Sequence, residues 1–278
     1  MAKKYKYVPS QNIKRLCDSI TSISDRHSTW EVFEDWLAMS AISISNTVDW
    51  KHAEEREKQY MQIVKKYTKA EVDRIAACFA TLIDVLQTEF ETNGYSDVLG
   101  SVFHGLELHN KYHGQFFTPN HICEFMGLAT FNGSDPNAAA QLKEQGFITA
   151  LEPCVGSGGL VLGLCKAMDI NKHNPQQELC VTCVDIDIKC VYMSYLQLSL
   201  LGIPAVIIHG NTLIVQEWSH WFTPAYVWGF WEARTRHKGK KYQTEPKLPE
   251  EKEKSAPNIK EDFALNLSEA RNGQITFF

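Results

Sequence analysis

Three short apolar runs, GFITALEP (146–153), ELCVTCVDID (178–187) and PAVIIHGN (204–211), follow one another, with stretches between them long enough for a helix. Each run has the length and apolar density of a buried strand. Strands that alternate with helices imply a parallel sheet with crossover helices, which confines this part of the chain to an α/β architecture. The joint after the first run is the most informative stretch: Leu151-Glu152-Pro153-Cys154-Val155-Gly156-Ser157-Gly158-Gly159-Leu160, leading into the helix-like VLGLCKAM. Glycines at such a joint let the backbone bend sharply and approach a ligand closely, while the free amides of the new helix favour an anionic group.

The spacing G-x-G-G differs from the G-x-G-x-x-G of a dinucleotide fold, and a purely structural turn would also account for two glycines. A second element favours a ligand. The next run ends in Val184-Asp185-Ile186-Asp187, with Asp185 26 residues beyond Gly159. An acid at the end of a second strand accepts hydrogen bonds from the ribose hydroxyls of an adenosine cofactor. The third run ends in His209-Gly210-Asn211-Thr212-Leu213, where a polar side chain can reach an adenine edge. Three polar strand ends in series make a crevice at the carboxyl edge of a sheet, although polar strand ends also occur in α/β proteins without such a ligand.

The first hundred or so residues read as helices. Ser28-x-x-Glu31 and Thr68-x-x-Glu71 fit capping boxes. After the second, Val72, Ile75, Phe79, Leu82, Ile83, Leu86 and Phe90 form one helical face that should stop near Asn93-Gly94. Trp30, Phe33, Leu37, Ala41 and Ile44 mark an earlier face, and the charged run 51–58 reads as a solvated helix surface. Residues 239–262, GKKYQTEPKLPEEKEKSAPNIKED, are nearly devoid of aliphatic side chains and read as a flexible linker or tail; residues 263–278 read as an arm able to dock. The expected organisation is a helical region over 1–110, an α/β domain over 111–235 and a charged, flexible C-terminal segment over 236–278.

Composition removes several alternatives. Lys plus Arg total 28 against 33 Asp plus Glu, and the net charge of −5 argues against coating nucleic acid by bulk electrostatics. A local run such as RTRHKGKK (234–241) reads as a solvated tail or as a phosphate contact. With 44% hydrophobic residues, wholesale disorder is excluded. No apolar run approaches the roughly 18 residues of a membrane span, and MAKKYKYVPS has no apolar signal region behind it. A soluble, cytoplasmic protein without a membrane partner is expected. The eight cysteines lie in apolar segments and read as reduced core thiols. Cys180-x-x-Cys183 sits in a strand-like run where positions three apart face opposite ways, and no second Cys or His pair completes a zinc site, so no metal is expected.

Upstream of the sheet, Asp97-Val98-Leu99-Gly100 leads to His113-Gly114-Gln115-Phe116-Phe117-Thr118-Pro119, with a helix beginning near Asn120. In order, D-x-L-G, G-Q-F-F-T-P, E-P-C-V-G-S-G-G, V-D-I-D, L-L-G-I-P and H-G-N-T-L resemble the methylation subunit of type I restriction-modification systems and its adenine-specific DNA methyltransferase relatives, over residues 97–213. The resemblance implies an incomplete, Rossmann-like methyltransferase sheet beside the helical N-terminal region. It implies S-adenosylmethionine (SAM) as cofactor, DNA as a partner, and a specificity or other methyltransferase subunit as a further one. By the same resemblance, Gln115, Phe117, Thr118 and Pro119 contact the methionine portion of SAM, and Glu152, Gly156, Ser157 and Gly158 lie against its amino-acid end. Asp185 holds the ribose. Asn211, where many relatives carry Asp, binds the adenine amine through its side-chain oxygen.

Methylating the N6 amine of adenine is hard because its lone pair is delocalised into the ring. The relatives use an Asn/Asp-Pro-Pro-Tyr/Phe motif after the fourth strand: two acceptors bind the amine hydrogens and an aromatic ring stacks on a flipped-out base. No Asn-Pro-Pro or Asp-Pro-Pro occurs in the sequence, and the 278 − 213 = 65 residues after Leu213 are fewer than a complete sheet of this kind needs. The segment 218–231, WSHWFTPAYVWGFW, offers aromatic rings that read as core, as interface or as base-stacking, with Asn211 or Glu217 as stand-in acceptors. Two expectations stand. One is an adenine-N6-specific DNA methyltransferase of reduced form, completed by a partner. The other is a catalytically inactive SAM-binding module with a regulatory, assembly or anti-restriction role. No catalytic residue is assigned.

Overall fold

The computed structural model describes residues 10–108, 117–239 and 275–276. Helices α1 (Gln11–Thr21), α2 (Thr29–Ser45), α3 (Trp50–Val64), α4 (Lys69–Asn93) and α5 (Val98–Gly105) come first. The starts of α2 and α4 follow the sequence signals, α2 with one half of its expected capping box and α4 with both. The Ser28 hydroxyl accepts the Glu31 amide at 3.2 Å. At Thr68 both halves of the capping box form, with the Thr68 amide donating to Glu71 Oε2 at 2.7 Å and the Glu71 amide donating to Thr68 Oγ1 at 3.4 Å. Glycine at position 94, φ +71°, ends α4 where the pattern predicts. The buried stripe of α4 is narrower than its sequence periodicity, for Ile75, Leu82 and Leu86 are buried whereas Ile83 and Phe90 remain exposed.

The charged face of α3 departs from expectation at one residue. Arg56 is buried: it donates to Asp49 Oδ2 at 2.7 Å and to the His220 carbonyl at 2.7 Å, and lies 4.0 Å over the Trp221 ring. Its partners supply the charge and acceptors that make burial of a guanidinium tolerable.

Next come α6 (Asn120–Thr130), α7 (Pro136–Gln145), β1 (Ile148–Glu152), α8 (Gly159–Ile170), α9 (Pro175–Glu178), β2 (Leu179–Asp185), α10 (Ile188–Leu200), β3 (Ala205–Asn211), β4 (Gln216–Phe222), α11 (Pro224–Trp228), α12 (Trp231–Gly239) and β5 (Ile275–Thr276). The sheet order is β4-β3-β2-β1-β5. The three runs read from the sequence form adjacent parallel strands, with Ile148 opposite Leu179 and Val181 opposite Ala205. β4 adds an antiparallel edge to β3, and Ile275 and Thr276 pair with Ala150 and Leu151 of β1. The chain is therefore an α/β protein with a largely parallel sheet and an N-terminal helical region. One apolar core runs through both parts: Trp36 and Leu37 of α2, Leu99 and Phe103 of α5, and Tyr195 and Leu196 of α10 belong to it together with the strands.

The aromatic segment divides between core and surface. Trp221 and Trp231 are buried, whereas Trp218, Trp228 and Phe230 are exposed. Trp231 packs with Phe147 and Cys180 at the amino ends of β1 and β2. Arg234 stacks on Trp231 at 3.6 Å, so the start of the basic run lies at the sheet edge opposite the glycine turn. Seven cysteines are buried and Cys154 is exposed, none in a disulfide. Among the described residues no metal-ligand cluster forms and no helix is long and apolar enough to cross a membrane.

Candidate functional site

The glycine turn stands at the carboxyl end of β1, and its shape depends on two left-handed residues, Gly156 at φ +56° and Gly158 at φ +102°. Two bonds tie it to the end of β2: the Val155 amide donates to the Val184 carbonyl at 2.9 Å, and the Gly156 amide to Asp185 Oδ2 at 2.8 Å. The other Asp185 oxygen accepts the Asp187 amide at 2.9 Å. Thr212, just after β3, donates to the Pro153 carbonyl at 2.6 Å, which hooks the β3–β4 turn to the same loop.

The opposite wall is Phe117-Thr118-Pro119, immediately before α6. This helix crosses α8 where glycine meets glycine: a Cβ on Gly127 would collide with the Gly163 carbonyl, and one on Gly163 with the Cys123 carbonyl. That close crossing brings the Phe117 ring over the turn, so that a Cβ on Gly156 would meet it at 3.1 Å. Phe117 is held from behind by an edge-on contact with Phe103, 4.8 Å between ring centroids.

Between these walls lies a cavity of about 260 Å³. Phe117, Thr118, Gly156, Ser157 and Asp185 line it, as do Asp97, Cys123, Leu160 and Cys190. Of the other residues predicted from the sequence, Glu152 ends β1 and Gly158 caps α8, at the two ends of the glycine loop and outside this lining, and Pro119 caps the α6 wall. Asn211 stands apart from the cavity lining, and its side-chain oxygen accepts the Leu213 amide at 3.0 Å. Gln115 lies outside the described residues.

The electrostatics are acidic. Among the described residues no Lys, Arg or His lines the cavity. Burial pushes the Glu152 carboxyl up to about 7, against the opposing bond from the Cys154 amide to Oε1 at 3.1 Å. Its second oxygen, Oε2, is buried without a hydrogen-bond partner among the described residues. Burial also raises Asp185 above the usual carboxylate range, opposed by the amides of Asp187 and Gly156. The thiols of Cys123 and Cys190 are raised by burial too and stay protonated at neutral pH. Two features here suit a cationic, hydroxyl-bearing ligand: the Asp185 carboxyl in the cavity lining, and, at the end of the adjacent strand and outside the lining, the Glu152 carboxyl with an oxygen that has no partner among the described residues.

Two residues of the site carried no assigned role in the sequence reading. Asp97, in the D-x-L-G element, accepts the Gly100 amide at 2.7 Å and the Ser157 hydroxyl, and its own amide donates to Asn120 Oδ1 at 2.9 Å. Gln197 of α10 donates to Asp97 Oδ1 at 2.9 Å and to the Ser157 carbonyl at 2.7 Å. A fully buried Gln between Leu196 and Leu198 is the only local signal for the second.

A likeness extends to a protein described as a class I S-adenosylmethionine-dependent methyltransferase of Listeria monocytogenes, at 12% identity and a TM-score of 0.42, covering 81% of this chain and 69% of that one. The methyltransferase subunit of a type I restriction-modification system from Streptococcus thermophilus is similar at 13% identity and a TM-score of 0.33 over 75% of this chain, which spans 59% of that subunit. Both likenesses are distant. No curated protein matches. The model of one family, described as N-6 DNA methylase, matches residues 95–265, which takes in α5, the Phe117 wall, the glycine turn and all of β1 to β4. On that match the chain belongs to the N-6 DNA methylase family.

Proposed function

We propose that the cavity binds SAM and that the chain is a cytoplasmic, DNA-directed methyltransferase-type protein acting on the N6 amine of adenine. The observation that carries the cofactor reading is a pair of carboxyls at the ends of adjacent strands: Asp185 lines the cavity opposite the Phe117 wall, and Glu152, buried just outside that lining, has an oxygen with no hydrogen-bond partner among the described residues. When bound, SAM supplies a methyl group on a positively charged sulfur. The residues of the chain then have distinct tasks. Glu152 and the turn Gly156, Ser157 and Gly158 receive the amino-acid end, where the ammonium group gives the buried carboxylate a partner. Asp185 accepts from the ribose hydroxyls. Phe117, Thr118 and Pro119, continuing from Gln115, cover the methionine portion and exclude water from it. Asn211 reaches the adenine amine only by giving up its bond to the Leu213 amide.

DNA enters on the same carboxyl edge of the sheet. There the exposed Leu213, Ile214 and Val215 directly follow the Thr212 hook, and Trp218 is half exposed on β4. A specificity subunit, or a second methyltransferase subunit, completes the assembly. Calorimetric titration with SAM tests the cofactor reading, and transfer of tritium from labelled SAM to mixed DNA, with and without a specificity subunit, tests the reaction. Specific binding without transfer under any of these conditions would favour a second reading, a catalytically inactive SAM-binding module with a regulatory, assembly or anti-restriction role. The absence of Asn-Pro-Pro or Asp-Pro-Pro from the sequence is what keeps that reading in view.

A further inference from the structure

The side chain of Gln197 is fully buried in α10 and makes four hydrogen bonds to two other segments of chain. Its Oε1 accepts the amides of Val98 at 2.9 Å and Leu99 at 3.0 Å, the first two of α5, which no intrahelical carbonyl can satisfy. Its Nε2 donates to Asp97 Oδ1 at 2.9 Å and to the Ser157 carbonyl at 2.7 Å. Asp97 in turn accepts the Ser157 hydroxyl through Oδ2 and holds Asn120, the residue after the Phe117-Thr118-Pro119 wall, through its backbone amide. Both walls of the cavity are therefore anchored on Asp97, and Gln197 fixes Asp97 relative to the turn. Gly100 leaves room for this arrangement, since a Cβ there would strike the Asp97 carboxylate and the Ser157 hydroxyl.

We propose that Gln197 is a positioning residue that sets cofactor affinity by fixing the glycine turn at Ser157 against α5, without itself touching the ligand. The role needs an acceptor and a donor on one planar group. An amide supplies both, and neither an apolar side chain nor an ionised carboxylate does. The inference rests on the SAM reading for the identity of the ligand, but the geometry of the clamp can be tested without any ligand.

The experiment compares Gln197→Met, which lacks both functions, with Gln197→Glu, which keeps the acceptor and places a carboxylate oxygen against Asp97 and the Ser157 carbonyl. Hydrogen–deuterium exchange of the free protein should show faster exchange across residues 155–159 in both variants, with the β3 amides still protected as in the parent. SAM titration at a temperature where each variant is folded should give affinities weaker by about tenfold or more, the scale of one buried group left unsatisfied. For Gln197→Glu the deficit relative to the parent should shrink at acid pH, where the protonated carboxyl donates again; a purely structural role would not produce that pH profile. Should Gln197→Met fail to fold, the Gln197→Glu profile alone decides. Unchanged exchange at 155–159 together with an unchanged SAM affinity in a folded variant would overturn the inference. Faster exchange at 155–159 in the variants of a parent that binds no SAM would instead overturn the cofactor reading and leave the clamp standing.

Discussion

Asp185 accepts the Gly156 amide at 2.8 Å, so the last residue of β2 holds the apex of the turn that follows β1. The same carboxylate is the proposed ribose acceptor, and one side chain thereby serves both the shape of the cavity and its contents. Asp185→Ala should weaken SAM binding by about 10- to 100-fold, the range expected for hydrogen bonds to a charged acceptor. Asp185→Asn, which still accepts from Gly156, should keep the turn and lose less. Calorimetry on both variants checks this, and an Asp185→Ala affinity within twofold of the parent would count heavily against the ribose assignment.

Glu152 predicts a pH dependence. An unfolded glutamate titrates near 4.5, whereas burial places the folded one at about 7. Between these values the folded state holds a proton that the unfolded state has lost, so this group's contribution to stability is full below pH 4.5 and falls as pH rises through 7. Glu152→Gln should remove that slope and raise stability at pH 8 by roughly 2–3 kcal/mol, read from urea denaturation at pH 5 and pH 8. Ligand binding should run the other way: SAM, being cationic, favours the ionised carboxyl, so the parent should bind more tightly above pH 7 and release protons on binding. A parent affinity flat from pH 6 to pH 8 would remove Glu152 from the amino-acid end of the site.

Much of this site could be read from the residues alone because the relevant signals are local. The turn glycines, the acid at the end of β2 and the apolar runs each declare themselves within a few positions, and the structure places Phe117, Thr118, Gly156, Ser157 and Asp185 around one cavity. What escaped the sequence is non-local. Gln197 is 100 residues from Asp97, and nothing beside either one shows that they meet. Arg56 sits in a run of charges whose neighbours are mostly solvated, and it is buried by partners far from that run: Ser45 at the end of α2, and the His220 carbonyl and Trp221 ring of β4. Asn211 shows the opposite case, because its strand-end position points to the ligand whereas a two-residue turn onto Leu213 is its nearest partner.

The crossing of α6 and α8 is sensitive to a single methyl group. Gly163→Ala would put a Cβ into the Cys123 carbonyl, with backbone on both sides and no flexible side chain to yield. The helices must separate, at a cost of about 1–3 kcal/mol for overpacking. Since α6 carries Pro119 at its N-cap, the Phe117 wall should move with it, and SAM affinity should fall together with the denaturation midpoint. Gly146→Ala provides the control: it is also a glycine, with nothing near its would-be Cβ but a left-handed φ of +79°, so it should lower stability without altering SAM affinity. Equal loss of affinity in both variants would show that the crossing has no special part in shaping the cavity.

Arg56 ties the helical region to the sheet through buried groups, and its removal should reveal an uncompensated charge. Burial alone would raise Asp49, but the bonds from His52 and Arg56 outweigh it and hold that carboxyl below the usual range. Arg56→Met keeps the packing against Trp221 and strips Asp49 of its buried partner, which should cost about 3 kcal/mol near neutral pH. The deficit should narrow as pH falls, because a protonated Asp49 no longer needs the cation. For the same reason the double variant Arg56→Met/Asp49→Asn should recover much of the lost stability. Chemical denaturation of the parent, the two single variants and the double variant at pH 5 and pH 7.5 gives the coupling directly. Additive losses with no pH dependence would mean that the Arg56 bond to the His220 carbonyl, rather than its pairing with Asp49, carries the tie between α3 and β4.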